Sequence, residues 1–463
     1  MTFVDLFHIG WTLLVALILF SVTVFVHELG HFLAARRKGL VVERFAIGMG
    51  PKLFGFKYKG VDYVFNALPI GGYVALPQMA PMEMVEGKNE SPAASLPPIT
   101  PWAKIVTAFW GPLFSFLLAC VLAVGVWYFG KPDREALQTT TIGYVQPDSP
   151  AAAAGLLPGD KIISIEGRPV TRWMGGSAGV LEGIIFSREE KISLEVERAG
   201  KGTKVFEIKP RLNQEMEGLR QIGISPMEPL VVERVLRNSP GQKAGLEAGD
   251  SIFAVDGQLV YSTEQVRQLI LQSKGAVDLT VNRRGEIIKI SLVPVIPTGS
   301  QIPMIGVQWQ IGLPIMTHPL PWDQVIDAAL LIKRTLGAIF DSKSDVGVKH
   351  LSGPVGIFDA IMRLLRYDPL QVLSFFVVLN VNLAILNILP IPILDGGHIV
   401  FSFVEMIRKK SLNPKIIQGL HLACFVFLIS LFLFISFHDI RRFFGRMGGD
   451  GAPPPEIEFQ AVE

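Results

Sequence analysis

Residues 15–39 read VALILFSVTVFVHELGHFLAARRKG: an uncharged apolar run up to Val26, then His27, Glu28 and His31, then Arg36, Arg37 and Lys38. At 3.6 residues per turn His27 and His31 lie one turn apart on the same face of a helix. Two imidazoles so placed can reach one tetrahedral cation, with Glu28 beside them as a base for water. Ionisable side chains inside an apolar span are costly, so three of them together mark a site. The alternative is a pair of helix-interface histidines bonded to neighbouring helices.

Working outward, three more windows carry almost no formal charge: 105–130, 369–394 and 416–437. Each is long enough to cross a hydrocarbon core of about 30 Å at about 1.5 Å per residue. Half the chain is hydrophobic (49%) and the mean hydropathy is +0.41, which excludes an ordinary soluble enzyme. The first two spans flank Arg36, Arg37, Lys38, Lys52, Lys57, Lys59 and Lys104, and the last two flank Arg408, Lys409, Lys410 and Lys415. The positive-inside rule makes both short loops cytoplasmic and puts the long middle segment and both termini outside, although Arg441, Arg442 and Arg446 pull the other way. The first span lacks a basic n-region and a small-residue cleavage site, so it is expected to stay as a helix. No basic tract with interleaved aromatics points to nucleic acid, and Cys120 and Cys424, both in spans, build neither a disulfide framework nor a thiolate metal site.

Between Lys131 and Pro319 the chain turns polar and repeats itself at an offset of about ninety residues. Ser149-Pro150, Ala154-Gly155-Leu156, Gly159-Asp160, Ile162, Gly167 and Val170 recur as Ser239-Pro240, Ala244-Gly245-Leu246, Gly249-Asp250, Ile252, Gly257 and Val260. Gln221-Ile222-Gly223-Ile224 likewise recurs as Met304-Ile305-Gly306-Val307. The pattern predicts a short helix after Ser-Pro, ended by glycine, then a turn feeding a strand. It resembles bacterial PDZ domains in both copies, over 139–224 and 225–308. That resemblance implies capture of extended peptides by strand addition, with spacing or gating as the alternative.

The remaining pieces read as follows. Residues 39–80 form short alternating strands bracketed by Gly48-Met49-Gly50-Pro51 and Leu68-Pro69-Ile70-Gly71-Gly72-Tyr73-Val74, a small membrane-associated sheet on the cytoplasmic side. Residues 81–102 are a cytoplasmic connector and 438–463 a tail with a triple proline. Residues 320–345 contain an amphipathic helix with Val325, Ala328, Ala329, Ile332, Leu336 and Ile339 on one face, to lie on the outer membrane surface or on the protein itself. The spans are delimited as 1–38, 103–130, 369–398 and 414–437.

Two histidines leave a catalytic zinc one protein ligand short. The third span ends Asn387-Ile388-Leu389-Pro390-Ile391-Pro392-Ile393-Leu394-Asp395-Gly396-Gly397-His398, where the prolines break the helix and the glycines let the backbone turn. By the topology above, Asp395 and the histidines lie toward the same membrane face, so Asp395 is the candidate third ligand; a helix-end cap is its alternative. His398 is a candidate supporting group.

His27-Glu28-Leu29-Gly30-His31 early, Leu394-Asp395-Gly396-Gly397 late, four spans and a PDZ-like pair between the second and third resemble the bacterial site-2 proteases over nearly the whole chain. The resemblance implies a multi-pass α-helical membrane protein of the inner membrane, with four transmembrane helices, a small membrane-associated β-sheet and two tandem periplasmic α+β PDZ domains. It implies one catalytic Zn²⁺ on His27, His31 and Asp395, with Glu28 activating water near the cytoplasmic side. It implies cleavage of single-pass membrane proteins, an anti-sigma factor and remnant signal peptides among them, with the PDZ pair filtering substrates and lipid as surroundings. Gly48, Gly50, Gly71, Gly72 and Tyr73 resemble the family's substrate-pairing β-loops. Asn382 and Asn387 resemble its substrate-handling asparagines, with inter-helical bonding as their alternative. Ser352-Gly353-Pro354-Val355-Gly356 also resembles a family segment, and no chemistry assigns it a role.

Overall fold

A computed structural model describes residues 3–79, 96–449 and 459, apart from 215–216, 274, 299, 311, 313 and 411. Most of the 81–102 connector and the end of the tail lie outside the described residues. The chain divides into a unit of residues 1–131, 317–332 and 351–443 and a unit of residues 132–316, 333–350 and 444–463.

The first unit is helical. The helices that lie in it wholly or in greater part are α1 (Phe3–Lys38), α2 (Pro101–Phe129), α3 (Pro321–Ile339), α4 (Pro354–Tyr367), α5 (Gln371–Ile388), α6 (Asp395–Arg408) and α7 (Pro414–Gly449). Stretches of α1, α2, α5 and α7 are long and apolar enough to cross a membrane, and the protein is an integral membrane protein. Helix α2 packs against α1, α5 and α6. Its small residues Ala119 and Ala123 are buried, which lets the backbones approach, and they pack with Val377 and Val381 of α5 and Val325 and Ala328 of α3. The apolar face of α3 therefore meets the protein's own helices at these positions. Helix α5 stops at Ile388, ten residues short of the boundary expected at 398; Pro390 and Pro392 follow, and Asp395 opens a separate helix.

The glycine-rich segment before α4, without assignable chemistry in sequence, has a structural task. The Gly353 and Gly356 N–H groups donate to Asp439 Oδ2 of α7 at 2.9 and 2.8 Å. A Cβ on either glycine would come within 2.9 Å of Ile435 or Asp439. The segment thus binds α4 to the last span.

Between α1 and α2, β1 (Arg44–Tyr58) and β2 (Val61–Ala75) form one antiparallel sheet. Residues 44–47 pair on one side with 72–75 and on the other with 62–65, and 62–65 pair in turn with 54–57. Residues 72–75 are therefore an edge. Phe45, Val61 and Val74 pack on Phe32 and Ala35 of α1 and fix that edge along the half of α1 that carries the histidines.

The second unit holds two small β-rich domains with separate cores. Strands 168–169, 161–165, 192–198 and 202–208 make the first sheet, and 258–259, 251–255, 277–283 and 286–292 the second, in the same order. The repeated residues explain themselves. Ser149 and Ser239 cap short helices by accepting from the N–H of Ala152 and Gln242, with proline following at the first helical position. A Cβ on Gly223 or Gly306 would lie 2.3 or 2.1 Å from the Cβ of that capping serine, so glycine is required in both copies. Asp160 and Asp250 each take two bonds from an arginine, Arg198 and Arg283, at 2.6–2.7 Å. Burial alone raises the pKa of Asp250, but the Arg283 guanidinium holds it below the usual carboxylate range.

Candidate active site

His27 and His31 project from α1 toward α2, and α2 orients both. The His31 Nδ1 lies 2.9 Å from the Thr107 carbonyl oxygen. A carbonyl only accepts, so Nδ1 carries the proton and the Nε2 lone pair points inward. His27 Nδ1 is 2.9 Å from Ser115 Oγ, a hydroxyl that can donate or accept, and this contact orients the ring.

The two Nε2 atoms are 3.3 Å apart, and each is 3.2 Å from an oxygen of Asp395, Oδ2 for His27 and Oδ1 for His31. Three donor groups, two imidazoles and one carboxylate, thus converge on one point. A tetrahedral zinc with ligand bonds of about 2.0–2.1 Å needs its donor atoms about 3.3 Å apart. The donor set fits zinc in kind and in spacing, and these three residues are the candidate ligands.

Asp395 reaches them because α5 has already ended. Residues 389–394 carry the chain around, and α6 begins at Asp395 itself, so a carboxylate stands at a helix start. The turn needs Gly396 and Gly397: added Cβ atoms would lie 2.2 Å from the Ile388 and Leu389 carbonyl oxygens and 2.4 Å from that of Ile391.

Glu28 is beside this centre without being part of it. Its carboxylate lies beside the Val74 backbone of β2, and a Cβ on Gly72 would come 3.2 Å from Glu28 Cγ. The sheet edge and the acid are therefore held in register by direct contact. Both face a cavity of about 720 Å³ lined by Val24, His27, Glu28, His31, Asp395 and His398, with Leu383 and Asn387 of α5 on one side and β1–β2 residues on the other.

Of the residues singled out for substrate, Gly50, Gly71, Gly72, Tyr73 and Asn387 line this cavity. Gly48 and Asn382 do not. Gly48 is needed for backbone: φ is +80° and a Cβ would meet the Leu68 carbonyl oxygen at 2.4 Å. Asn382 is five residues from Asn387, which on a helix turns it well away. Its Oδ1 is buried without a hydrogen-bond partner among the described residues. A third asparagine, Asn380, is fully buried and donates to the Phe376 carbonyl oxygen and to Thr23 of α1. His398, at the cavity wall, also lies near His421 of α7, the two rings tilted and 5.6 Å apart between centres.

Sequence reasoning placed the second span, α2, and missed the residues on it that contact the histidines. Thr107, Gly111 and Ser115, four apart, form the stripe that receives the histidines. A Cβ on Gly111 would sit 2.1 Å from His31 Nε2, and one on Gly30 would sit 2.2 Å from the Trp110 carbonyl oxygen. Small residues at four-residue spacing in an apolar helix were the available signal. Removing the partner of a ligand histidine commonly costs 10–100-fold in metal affinity. Ser115→Ala is expected to weaken zinc binding by roughly that factor, measured by competition with a chromophoric chelator.

Two histidines on one helix, a carboxylate opening another and a free glutamate alongside define a metallohydrolase centre set among apolar helices. The model of peptidase family M50 matches residues 15–431, and the chain belongs to that family: it is a zinc metalloprotease. It is similar over 93% of its length to the regulator of sigma-E protease RseP of Escherichia coli, at 28% identity and 99% of that protein. A Haemophilus influenzae protein named regulator of sigma E protease is 26% identical over 93% of this chain and 99% of its own. A Neisseria meningitidis protein, named as a candidate zinc metalloprotease, is 29% identical over 94% of this chain and all of its own. A solved PDZ domain of a Listeria innocua SdrC-like protein matches 19% of this chain and 98% of its own at 24% identity, with a TM-score of 0.17, too low to establish a shared fold.

Proposed function

We propose that this protease hydrolyses a peptide bond within a transmembrane segment, with His27, His31 and Asp395 holding one zinc and Glu28 moving the proton. The observation that carries the reading is the position of a complete donor set and a free base within helices apolar enough to span a membrane, beside an unpaired sheet edge.

A transmembrane helix hides its carbonyls in its own hydrogen bonds, so it must unwind before it can be cut. The edge 72–75 offers backbone groups to an extended strand, and Gly71 and Gly72 leave room for it to approach. Asn387 can satisfy an amide freed by unwinding. When bound, zinc supplies a Lewis acid that acidifies water and polarises a carbonyl. Glu28 takes the proton from water at its free carboxylate oxygen and returns it to the departing nitrogen, so no acyl-enzyme forms.

The names of the relatives support a substrate of the anti-sigma-factor kind, and remnant signal peptides are of the same chemical class. The charge pattern of the loops supports an inner-membrane chain with the site toward the cytoplasm and the two β-rich domains outside. Their repeated sequence supports reading them as PDZ domains that filter what reaches the site. Asp395→Ala is expected to lose both zinc and cleavage, measured as zinc per chain and as product from a single-span substrate in detergent. Cleavage retained without zinc overturns the reading.

A further inference from the structure

The first β-rich domain carries a cleft of about 650 Å³ that the zinc chemistry does not use. It is lined by Trp173, Val180, Ile184, Ile222 and Ile224, and by one cation that precedes the last two in the chain, Arg220. That guanidinium is engaged outside the cleft. Its Nε donates to Asp345 Oδ2 at 2.6 Å, its Nη1 to the Glu189 carbonyl oxygen at 2.7 Å and its Nη2 to the Lys343 carbonyl oxygen at 3.4 Å, and none of these partners lines the cleft. Asp345 and Lys343 belong to residues 341–350, which lie on this domain as a strap. Arg188 pairs with Asp341 at 3.0 Å, Val346 is buried, and Lys349 Nζ donates to the Glu217 carbonyl oxygen at 2.6 Å. Turn bonds from the Lys343 N–H to Asp341 and from the Val346 N–H to Ser344 give the strap its shape.

We infer that Asp345 of this strap stands in for an acidic group of a peptide ligand, so that an extended peptide carrying a carboxylate competes with the strap for Arg220. The inference rests on the reading of these domains as peptide filters. A guanidinium is the side chain best matched to a carboxylate, and it serves one such partner at a time in a given direction. Arg220 ends the strand Leu219–Gln221 next to the cleft residues Ile222 and Ile224, so a chain lying along those residues passes within its reach. The lock is weak enough to open: the Asp345 side chain is 31% exposed, and water screens a pair so placed. The other lining arginine, Arg267, pairs with Glu264 of its own helix at 3.2 Å, so Arg220 is the cleft cation whose partner comes from a separate segment. A site held by the chain's own carboxylate binds ligand less tightly, in proportion to the fraction of molecules in which the strap is docked. A peptide that wins Arg220 frees the strap at its centre, and occupancy of the cleft is thereby coupled to residues 341–350.

The test uses the full-length chain in detergent and three fluorescein-labelled peptides of alternating valine and threonine, ending in aspartate amide, in asparagine amide, or in asparagine with a free terminus. By fluorescence anisotropy an acidic peptide should bind Asp345→Asn at least about threefold more tightly than the parent, while the asparagine amide binds both alike. Which acidic peptide gains tells whether a side chain or a chain end supplies the carboxylate. Arg220→Gln should bind all three peptides alike. Glu190→Gln, which removes the same charge from an exposed pair with Lys209, should show no gain. A saturating acidic peptide should raise hydrogen exchange across residues 341–350 of the parent several-fold and leave the strand Glu286–Leu292 unchanged. Equal affinity of parent and Asp345→Asn, the same gain for the asparagine amide, or unchanged exchange overturns the strap alone. No binding of any peptide to any form overturns the peptide reading together with it.

Discussion

Glu28→Gln purified in detergent is expected to retain one zinc per chain and to cut a transmembrane substrate at least about 10³-fold more slowly than the parent. The substitution keeps the shape of the side chain, and β2 stays docked on α1 through Phe45, Val61 and Val74. It removes only the ability to take and return a proton. His27, His31 and Asp395 are untouched, and they converge without any contribution from Glu28. Zinc content by atomic absorption separates this outcome from collapse of the site. Full activity in Glu28→Gln would mean that the base is another residue of the cavity, and His398 is then the next to test.

Gly111→Ala is expected to lose zinc almost completely, although it adds one methyl group to a helix that contains no ligand. The added Cβ would stand 2.1 Å from His31 Nε2 and 2.4 Å from Cε1, far inside contact distance. The ring must swing away, which breaks the Nδ1 bond to the Thr107 carbonyl and takes Nε2 from the centre. Alanine favours a helix over glycine by about 1 kcal/mol, so loss of α2 itself is not the expected cause. Gly10→Ala is the control, since its Cβ meets nothing within 4 Å. A thermal melt close to the parent's, together with less than a tenth of its zinc, is the expected pair of results. Normal zinc content in Gly111→Ala would show that α1 and α2 are spaced more widely than found here.

The contrast between these two residues separates what is legible in the chain from what is not. His27, Glu28, His31 and Asp395 announce themselves because ionisable groups are rare in apolar spans, and the four-residue spacing of the histidines translates directly into a shared helix face. The paired β-rich domains are equally legible, because a repeated fold needs the same serine cap, glycine and Asp–Arg pair twice. Gly111, Thr107 and Ser115 carry only the weaker mark of small size at four-residue spacing. Their function depends on which face of α2 meets α1, and a helix that is apolar all round has no polar face against which to read it.

The third span makes the same point. Two prolines and two glycines promised a break near Asp395, but the length of α5 and the start of α6 at the aspartate itself are settled by close backbone contacts of Gly396 and Gly397. For the asparagines the outcome was split: Asn387 reaches the cavity and Asn382 does not, a matter of helix rotation that packing decides. The sequence by itself determined the class of chemistry, the number of spans and the repeat, since each rests on residue type and spacing along one element. Only the tertiary structure decided which neighbours hold the proposed ligands and which sheet edge faces the acid, because those depend on surfaces that meet from distant parts of the chain.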